Sequence, residues 1–438
     1  MKKVVVATLV LLSSLLLTVN AQDSVQMRHY LKDLCSPAMH GRGYAYNGDA
    51  IAANYIRTQL KRIGLAPFVY PDYYERYGFN VHAMEGPVSA TLNGDTLRPW
   101  EDFAFAPHTR SVNDEFTLLP IEPETLADPR ALKEFCNKNT RHLDKSLLYV
   151  DLSQCEDKKT VDKVNEMCHF MHVWNGQYEF PGLVIGVKEI PVWSFSYAKS
   201  RCDYIIAYVK AGLVKKRNSK IQLLCTNEYI FHETQNVCAF IPGSAVPDSF
   251  IIITAHYDHL GQMGEDVMFP GCHDNASGTA TALDLAQYFK DHPLRYSTLF
   301  VFFSGEEAGL MGSFFFVRDS ILDFSKIKFV LNLDLLCGGN DGITVVNAKA
   351  DNTKDFYDEL VKMNEKKHKL KEVRARDNAN NSDHAPFVMK GLPAVFVYTM
   401  GGRTGGYHAP SDTPENAGLE HYHRIVSLLI KGVERMCK

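Results

Sequence analysis

The chain has 438 residues, of which 45% are hydrophobic and 22% charged, and these fractions are ordinary for a globular protein with a sizeable core. Its formal net charge is −4, so the charge does not favour nucleic acid as a partner. For this length we expect one large domain, or one domain that carries an insertion.

The N-terminus, MKKVVVATLVLLSSLLLTVNAQ, has the pattern of a secretory signal. Two lysines precede an apolar stretch, and Val19-Asn20-Ala21 places small residues at the cleavage positions. The apolar stretch is shorter than the roughly 20 residues that span a bilayer. We therefore predict a signal peptide over residues 1–21, cleavage near Ala21, no stable membrane insertion afterwards, and a secreted or periplasmic protein. Disulfides are permitted in that compartment.

Residues 25–65 are predicted to be helical in two parts. The Gly- and Pro-containing stretch SPAMHGRGYAYNGD separates HYLKDL from AIAANYIRTQLKRIG. Asp49 is the predicted N-cap of the second helix, and Gly64 is expected to end it.

From about residue 70 to 230, short β-like runs alternate with polar segments. These runs are LLYVDL, PGLVIGV, PVWSFSY and DYIIAYVKAG, and the charged stretch ALKEFCNKNTRHLDK is a helix candidate. We interpret residues 108–226 as an inserted β-rich subdomain. Residues 22–107 and 227–438 would then form the main domain.

After residue 230 the pattern changes to alternating strands and helices. FIIITA, TLFVFFS, KFVLNLDLL and PAVFVYTM are continuous apolar runs, which are typical of strands buried on both faces. Helix candidates separate them and also end the chain. The main domain is therefore predicted to be α/β, with a mostly parallel mixed sheet covered by helices.

Polar side chains follow these apolar runs, at positions where the strands should end. They are His256, Asp258, Glu306, Glu307, Asp334, Tyr407 and His408, and Asp274 lies at the start of a helix. Each residue alone is common at strand ends, turns and helix caps. In open α/β sheets, however, ligands bind outside the carboxyl ends of the strands. Several carboxylates that converge there would repel one another unless cations lay among them.

A pair of divalent ions would remove this repulsion. In two-metal hydrolases the ions lie roughly 3.5–4 Å apart, and nitrogen and carboxylate ligands without cysteine suit zinc, with cobalt or manganese as substitutes. We predict two zinc ions per chain with these ligands: His256 and Asp334 for one ion, Glu307 and His408 for the other, and Asp274 as the bridge. Glu306 is not needed as a ligand, and we predict that it is the general base.

Six stretches, in order and content, resemble the M28 family of zinc aminopeptidases. They are AHYDHLG (255–261), PGCHDNASG (270–278), FFSGEEAGLMGS (302–313), NLDLL (332–336), NSDHAPF (381–387) and YHAPSDTPEN (407–416). The resemblance covers residues 28–80 and 230–438, whereas residues 108–226 only loosely resemble the protease-associated insert of some members. It implies a zinc-exopeptidase-like fold and removal of N-terminal residues from peptide substrates.

The resemblance assigns the same five zinc ligands and the same base, Glu306. Tyr407 resembles a tyrosine that hydrogen-bonds the substrate carbonyl oxygen as it becomes an oxyanion. Asp258, two residues after His256, is expected to orient the imidazole of that ligand. The sequence departs from the family pattern at His273, where a small or acidic residue is more usual, and at Cys337, where a small residue is common.

Three alternatives share this fold. A glutaminyl cyclase would use one zinc ion and usually has tryptophan at the position of Tyr407, and a receptor-like relative would lack ligands that are all filled here. A carboxypeptidase would need a cation for the substrate α-carboxylate. Arg403 is the only cation in the loop before His408, and it fits a peptide carboxylate, an acidic side chain or solvent exposure.

Overall fold

The structure is a computed structural model that describes residues 24–195, 200–215, 219–319, 321–402 and 406–437. The predicted signal peptide and Arg403 lie outside the described residues. Within these ranges, no helix combines the length and the apolar character needed to cross a membrane. The ten cysteines, all of which are described, form no disulfide.

The strands of the described residues are β1 (Ala66–Pro67), β2 (Tyr74–Leu92), β3 (Asp95–Leu97), β4 (Phe103–Phe105), β5 (Val112–Pro120), β6 (Ser146–Asp151), β7 (Gly182–Val187), β8 (Ile205–Lys210), β9 (Lys220–Ile241), β10 (Val246–His256), β11 (Gln262–Met263), β12 (Val267–Met268), β13 (Tyr296–Phe303), β14 (Ile327–Leu333), β15 (Gly342–Val346), β16 (Glu372–Arg376) and β17 (Ala394–Met400).

The α-helices of the same residues are α1 (Ser24–Leu34), α2 (Gly48–Ile63), α3 (Pro123–Leu126), α4 (Pro129–Leu143), α5 (Lys158–His169), α6 (Ser277–Asp291), α7 (Met311–Asp319), α8 (Lys354–Met363), α9 (Ala385–Met389) and α10 (Tyr422–Met436). The four apolar runs predicted as strands are β10, β13, β14 and β17, and helices lie between them as expected.

The main sheet has the strand order β16-β15-β17-β14-β10-β13-β9. Strand β10 is parallel to both β13 and β14, and β14 is parallel to β17. Both faces of the sheet are covered, by α1, α2, α6, α8 and α10 on one side and by α7 and α9 on the other. This arrangement buries the central strands on both faces, which explains their unbroken apolar runs, and it confirms the predicted α/β fold.

The insert differs in two ways from the predicted β-rich subdomain. Strand β9 runs without a break across the predicted boundary at 226, and β4, which precedes the boundary at 108, pairs with β8 inside the insert. The strands β5 to β8 form a parallel ladder with helices α4 and α5 packed on it. Both helices begin after aspartate N-caps, Asp128 and Asp157, so this segment is α/β in character.

The predicted N-cap role of Asp49 is wrong. Helix α2 begins after Asn47, and the buried Asp49 carboxylate instead contacts His232 Nε2 at 2.8 Å and accepts a hydrogen bond from the Thr234 hydroxyl at 2.6 Å. Both partners lie on β9, so a contact across the fold has replaced the local cap. Gly64 ends the helix in a left-handed conformation, as predicted.

Candidate metal centre

The predicted metal ligands lie at one edge of the sheet because their strands are parallel neighbours. His256 is the last residue of β10, and Asp334 directly follows β14. Glu306 and Glu307 follow β13, and His408 lies in the loop that follows β17. Strand β10 is the middle member of the three parallel strands, so the residues that follow its two neighbours lie on either side of His256.

The first group of donor atoms surrounds His256. Its Nε2 atom lies 3.3 Å from Asp334 Oδ1 and 3.4 Å from Asp274 Oδ1. All three side chains are buried, and their donor atoms lie close enough together to hold one metal ion. Asp274 comes from the π-helical turn at Cys272–Ala276 that precedes α6, so its position does not depend on a strand end.

The second group uses the other oxygen of the same aspartate. His408 Nε2 lies 3.1 Å from Asp274 Oδ2 and 3.3 Å from Glu307 Oε2. His259, which was not among the predicted ligands, has its Nδ1 atom 2.8 Å from Glu307 Oε1. Together with Asp274 and Glu307 it forms the second set of donor atoms close enough together to hold one metal ion. Asp274 therefore presents one carboxylate oxygen to each group, which is the arrangement required of a bridging ligand.

The electrostatics of these groups fit bound cations. Burial opposes the charge of His408, but Glu307 and Asp274 outweigh it and raise the His408 pKa to about 11. Burial likewise opposes the charge of Glu307, but His408 and His259 together outweigh it and lower the Glu307 pKa to about 2. Asp334 is the strongest influence that raises the pKa of His256. The carboxylates thus favour positive charge at both histidines, and the nitrogen and carboxylate donors match the preferences of zinc.

Glu306 differs from its neighbour Glu307 in position and electrostatics. It is only partly buried in the fold and is absent from both donor groups among the described residues. Desolvation, Glu307 and nearby acids raise its pKa well above the usual value for a carboxyl group. A carboxylate with a raised pKa beside a metal centre is suited to accept and return a proton.

Asp258 lies beside the His256 imidazole, which it was predicted to orient, and it also contacts the loop that follows β13. Its Oδ1 lies 3.7 Å from His256 Nδ1, which is closer to the Asp258 carbonyl oxygen at 3.2 Å. The carboxylate also accepts hydrogen bonds from the backbone N–H groups of Glu306 and Glu307, each at 3.2 Å. Asp258 therefore connects the loop that carries both glutamates to the end of β10.

Tyr407 lies at the entrance of the centre. Its ring stacks on His408 with a centroid distance of 3.9 Å and an interplanar angle of 15°, and the side chain is half exposed. Desolvation and the nearby Asp274 and Glu307 carboxylates raise its pKa well above the usual value for a phenol. The hydroxyl group therefore keeps its proton and is able to donate a hydrogen bond.

Three further residues hold the centre in place, and all of them lie in the recognised stretches without an assigned role. His259 contacts Glu307, as described above. The Ser382 hydroxyl donates to Asp334 Oδ2 at 2.7 Å. The Asp412 carboxylate accepts hydrogen bonds from the backbone N–H groups of His273 and Asp274 at 2.8–3.1 Å, so it fixes the turn that bears the bridging ligand.

The two departures from the family pattern contact each other. Cys337 Sγ lies 3.7 Å from His273 Nδ1, and both side chains are buried. A Cβ atom at Gly338 would lie 2.7 Å from the His273 ring, so the glycine leaves room for the larger side chain. The two substitutions therefore pack together behind the bridging ligand without displacing it.

Part of the chain matches a known protein family. Residues 236–433 match the model of peptidase family M28. This region is an M28 peptidase domain. It contains both donor groups, and membership of this family implies zinc as the metal. The insert and the first two helices lie outside the matched range.

Relatives of the M28 domain include proteins named as peptidases. A probable leucine aminopeptidase of Arthroderma otae is 32% identical over 197 residues, which covers 42% of this chain and 52% of the relative. A probable zinc metalloprotease of Pyricularia oryzae is 33% identical over 103 residues, or 23% of this chain and 20% of that protein. The chain thus spans about half the length of the leucine aminopeptidase relative.

Solved structures show the same fold over nearly the whole chain. BSAP, a zinc aminopeptidase from Bacillus subtilis, superposes with a TM-score of 0.68 at 15% identity and covers 95% of this chain and 96% of its own. A peptidase M28 precursor from Shewanella amazonensis gives a TM-score of 0.68 at 16% identity and covers 94% of this chain and 93% of its own. At this coverage the insert belongs to the shared fold.

Proposed function

We propose that this protein is a two-zinc aminopeptidase that removes N-terminal residues from peptides. One observation carries the proposal: the Asp274 carboxylate presents one oxygen to His256 and the other to His408, at 3.4 and 3.1 Å. Two complete donor groups that share a carboxylate support two ions. The M28 domain and the names of its relatives support peptide hydrolysis as the reaction.

The residues around the donor groups supply the remaining chemistry. When bound, the two zinc ions polarise the carbonyl of the scissile peptide bond and lower the pKa of a water molecule. Glu306 accepts a proton from the attacking water and returns it to the leaving amine. The Tyr407 hydroxyl donates a hydrogen bond to the substrate carbonyl oxygen as negative charge develops on it.

The remaining residues position this machinery. His259 holds Glu307, Ser382 holds Asp334, and Asp412 fixes the backbone at Asp274. We also propose that the peptidase acts outside the cytoplasm, as the signal pattern of residues 1–21 indicates. The insert, whose Phe195 ring packs on Tyr44 next to the centre, is proposed to limit the length of peptide that enters.

Removal of the metal is expected to abolish the hydrolysis of aminoacyl arylamides, because the cluster then has no cation to activate the carbonyl or the water. Adding zinc or cobalt should restore hydrolysis. The measurement is the rate on these substrates, with glutaminyl and N-blocked substrates in parallel, before and after exhaustive chelation and metal addition. Hydrolysis that survives complete metal removal contradicts the proposal, as does cyclisation of the glutaminyl substrate as the main reaction.

A further inference from the structure

A strained segment outside the matched M28 range packs against the metal centre. In residues 40–47, the backbone φ angles of four residues other than glycine lie between 46° and 57°; these are His40, Arg42, Tyr46 and Asn47. Such residues seldom adopt this left-handed conformation, and it persists only where the surroundings impose it. The surroundings here are the loops that carry the metal ligands.

The segment lies directly alongside the loop that follows His256. The N–H groups of His259 and Gly261 donate hydrogen bonds to the carbonyl oxygens of Arg42 and Gly41 at 3.2 and 3.1 Å. A Cβ atom at Gly41 would come within 2.3 Å of the Gly261 main chain. The two backbones therefore touch, and only glycine fits at this contact.

The Arg42 guanidinium connects two ligand-bearing loops. The side chain is fully buried and donates hydrogen bonds to the carbonyl oxygens of Tyr257 at 2.8 Å, Pro270 at 2.6 Å and Gly271 at 2.7 Å. Tyr257 lies between His256 and Asp258, and Gly271 is three residues before Asp274. Arg42 thus joins residues 40–47 to the chain beside His256 and to the chain that leads to Asp274, which are two members of the first donor group.

Tyr44 connects the same segment to the catalytic loop. Its hydroxyl donates a hydrogen bond to Asp258 Oδ2 at 2.6 Å, and the ring is buried with its edge towards Phe79. The Asp258 carboxylate also accepts the N–H groups of Glu306 and Glu307. The Asp258 side chain is therefore all that separates the Tyr44 hydroxyl from the backbone of Glu306, the proposed base, and of Glu307, a proposed metal ligand.

We propose that Tyr44 is a positioning residue of the metal centre that acts through Asp258, an inference that rests on the proposed function. The phenol holds the carboxylate in one orientation, and the carboxylate holds the loop that bears Glu306 and Glu307. Tyr44 does not reach the proposed reacting groups, since Asp258 lies between them. Loss of its hydroxyl should therefore impair catalysis and zinc binding more than substrate binding.

The test is the full-length Tyr44→Phe variant, with Tyr422→Phe as its matched control. Tyr422 is equally buried, and its hydroxyl donates to the Asp284 carboxylate at 2.9 Å, away from the metal centre. For Y44F we expect kcat and zinc affinity, measured by chelator competition, to fall about 10–100-fold, with KM little changed. The Y422F variant should keep the wild-type kcat and zinc affinity, even if its Tm falls by as much as that of Y44F. Wild-type kcat and zinc affinity in Y44F, or equal losses in Y422F, would overturn the proposal.

A double-mutant cycle with Asp258→Ala separates positioning from general stability. If Tyr44 acts through Asp258, the loss caused by Y44F should largely disappear in the D258A background, because alanine has no acceptor for the Tyr44 hydroxyl and the interaction is already broken. Independent, additive losses would contradict the proposal. A wild-type protein that neither binds zinc nor hydrolyses aminoacyl arylamides refutes the proposed function itself, whereas an active wild type with an unimpaired Y44F variant refutes only the role of Tyr44.

Discussion

Replacing Glu306 by glutamine should lower kcat by about 10²–10⁴-fold, the usual contribution of general acid–base catalysis. Glutamine keeps the shape of the side chain and leaves the backbone N–H free to bond Asp258 as before. Both donor groups lie elsewhere, so the zinc content should not change. The measurement is steady-state kinetics on an aminoacyl arylamide together with metal analysis of the purified variant.

Two results would contradict this role for Glu306. A variant that has lost zinc would show that Glu306 is a ligand, and a kcat within a few-fold of wild type would show that another group takes the proton. KM should change little, since the interaction matters only in the transition state. Glu306→Asp is the matched variant: it keeps the carboxylate but shortens the side chain, so it should retain more activity than glutamine.

Replacing Glu307 by glutamine should weaken zinc binding, whereas replacing Glu306 should leave the zinc content unchanged. Glu307 lies 3.3 Å from His408 and 2.8 Å from His259, so the substitution removes one of the two anionic ligands of the second group. We expect weaker binding of one zinc ion, loss of activity at limiting zinc, and partial recovery at high zinc concentration. Metal titration of activity measures this directly.

The comparison of these adjacent glutamates is informative because their side chains are chemically identical. If Glu307→Gln keeps both ions while Glu306→Gln loses one, the two roles are reversed and the assigned register is wrong by one residue. The His256 and Asp334 group serves as the internal control, because neither substitution should weaken the ion bound there.

The sheet and the convergence of the candidate ligands could be predicted from the sequence because their signals are local. Each buried strand is an apolar run, each run is followed by an acid or a histidine at its end or in the next loop, and parallel strands bring their carboxyl ends to one edge. His256, Glu307 and Asp334 follow this rule. Asp274 does not follow a strand end, and it was predicted instead from its position at the start of a helix.

The supporting contacts could not be predicted because they join residues that are far apart in the sequence. Tyr44 and Asp258 are separated by 214 positions, and Asp49 and His232 by 183. No periodic pattern marks such pairs, and the local rule for helix caps gave the wrong role to Asp49. Helix α5 of the insert, Lys158–His169, was missed because its charged sequence resembles a polar linker.

Zinc-edge anomalous diffraction from crystals of the zinc-loaded protein tests most directly whether five side chains hold two zinc ions with Asp274 between them. We predict two anomalous peaks roughly 3.5–4 Å apart, one beside His256 and Asp334 and the other beside Glu307 and His408, with Asp274 contacting both. A single peak in the fully active enzyme, or a pair of peaks that Asp274 does not bridge, would contradict the account.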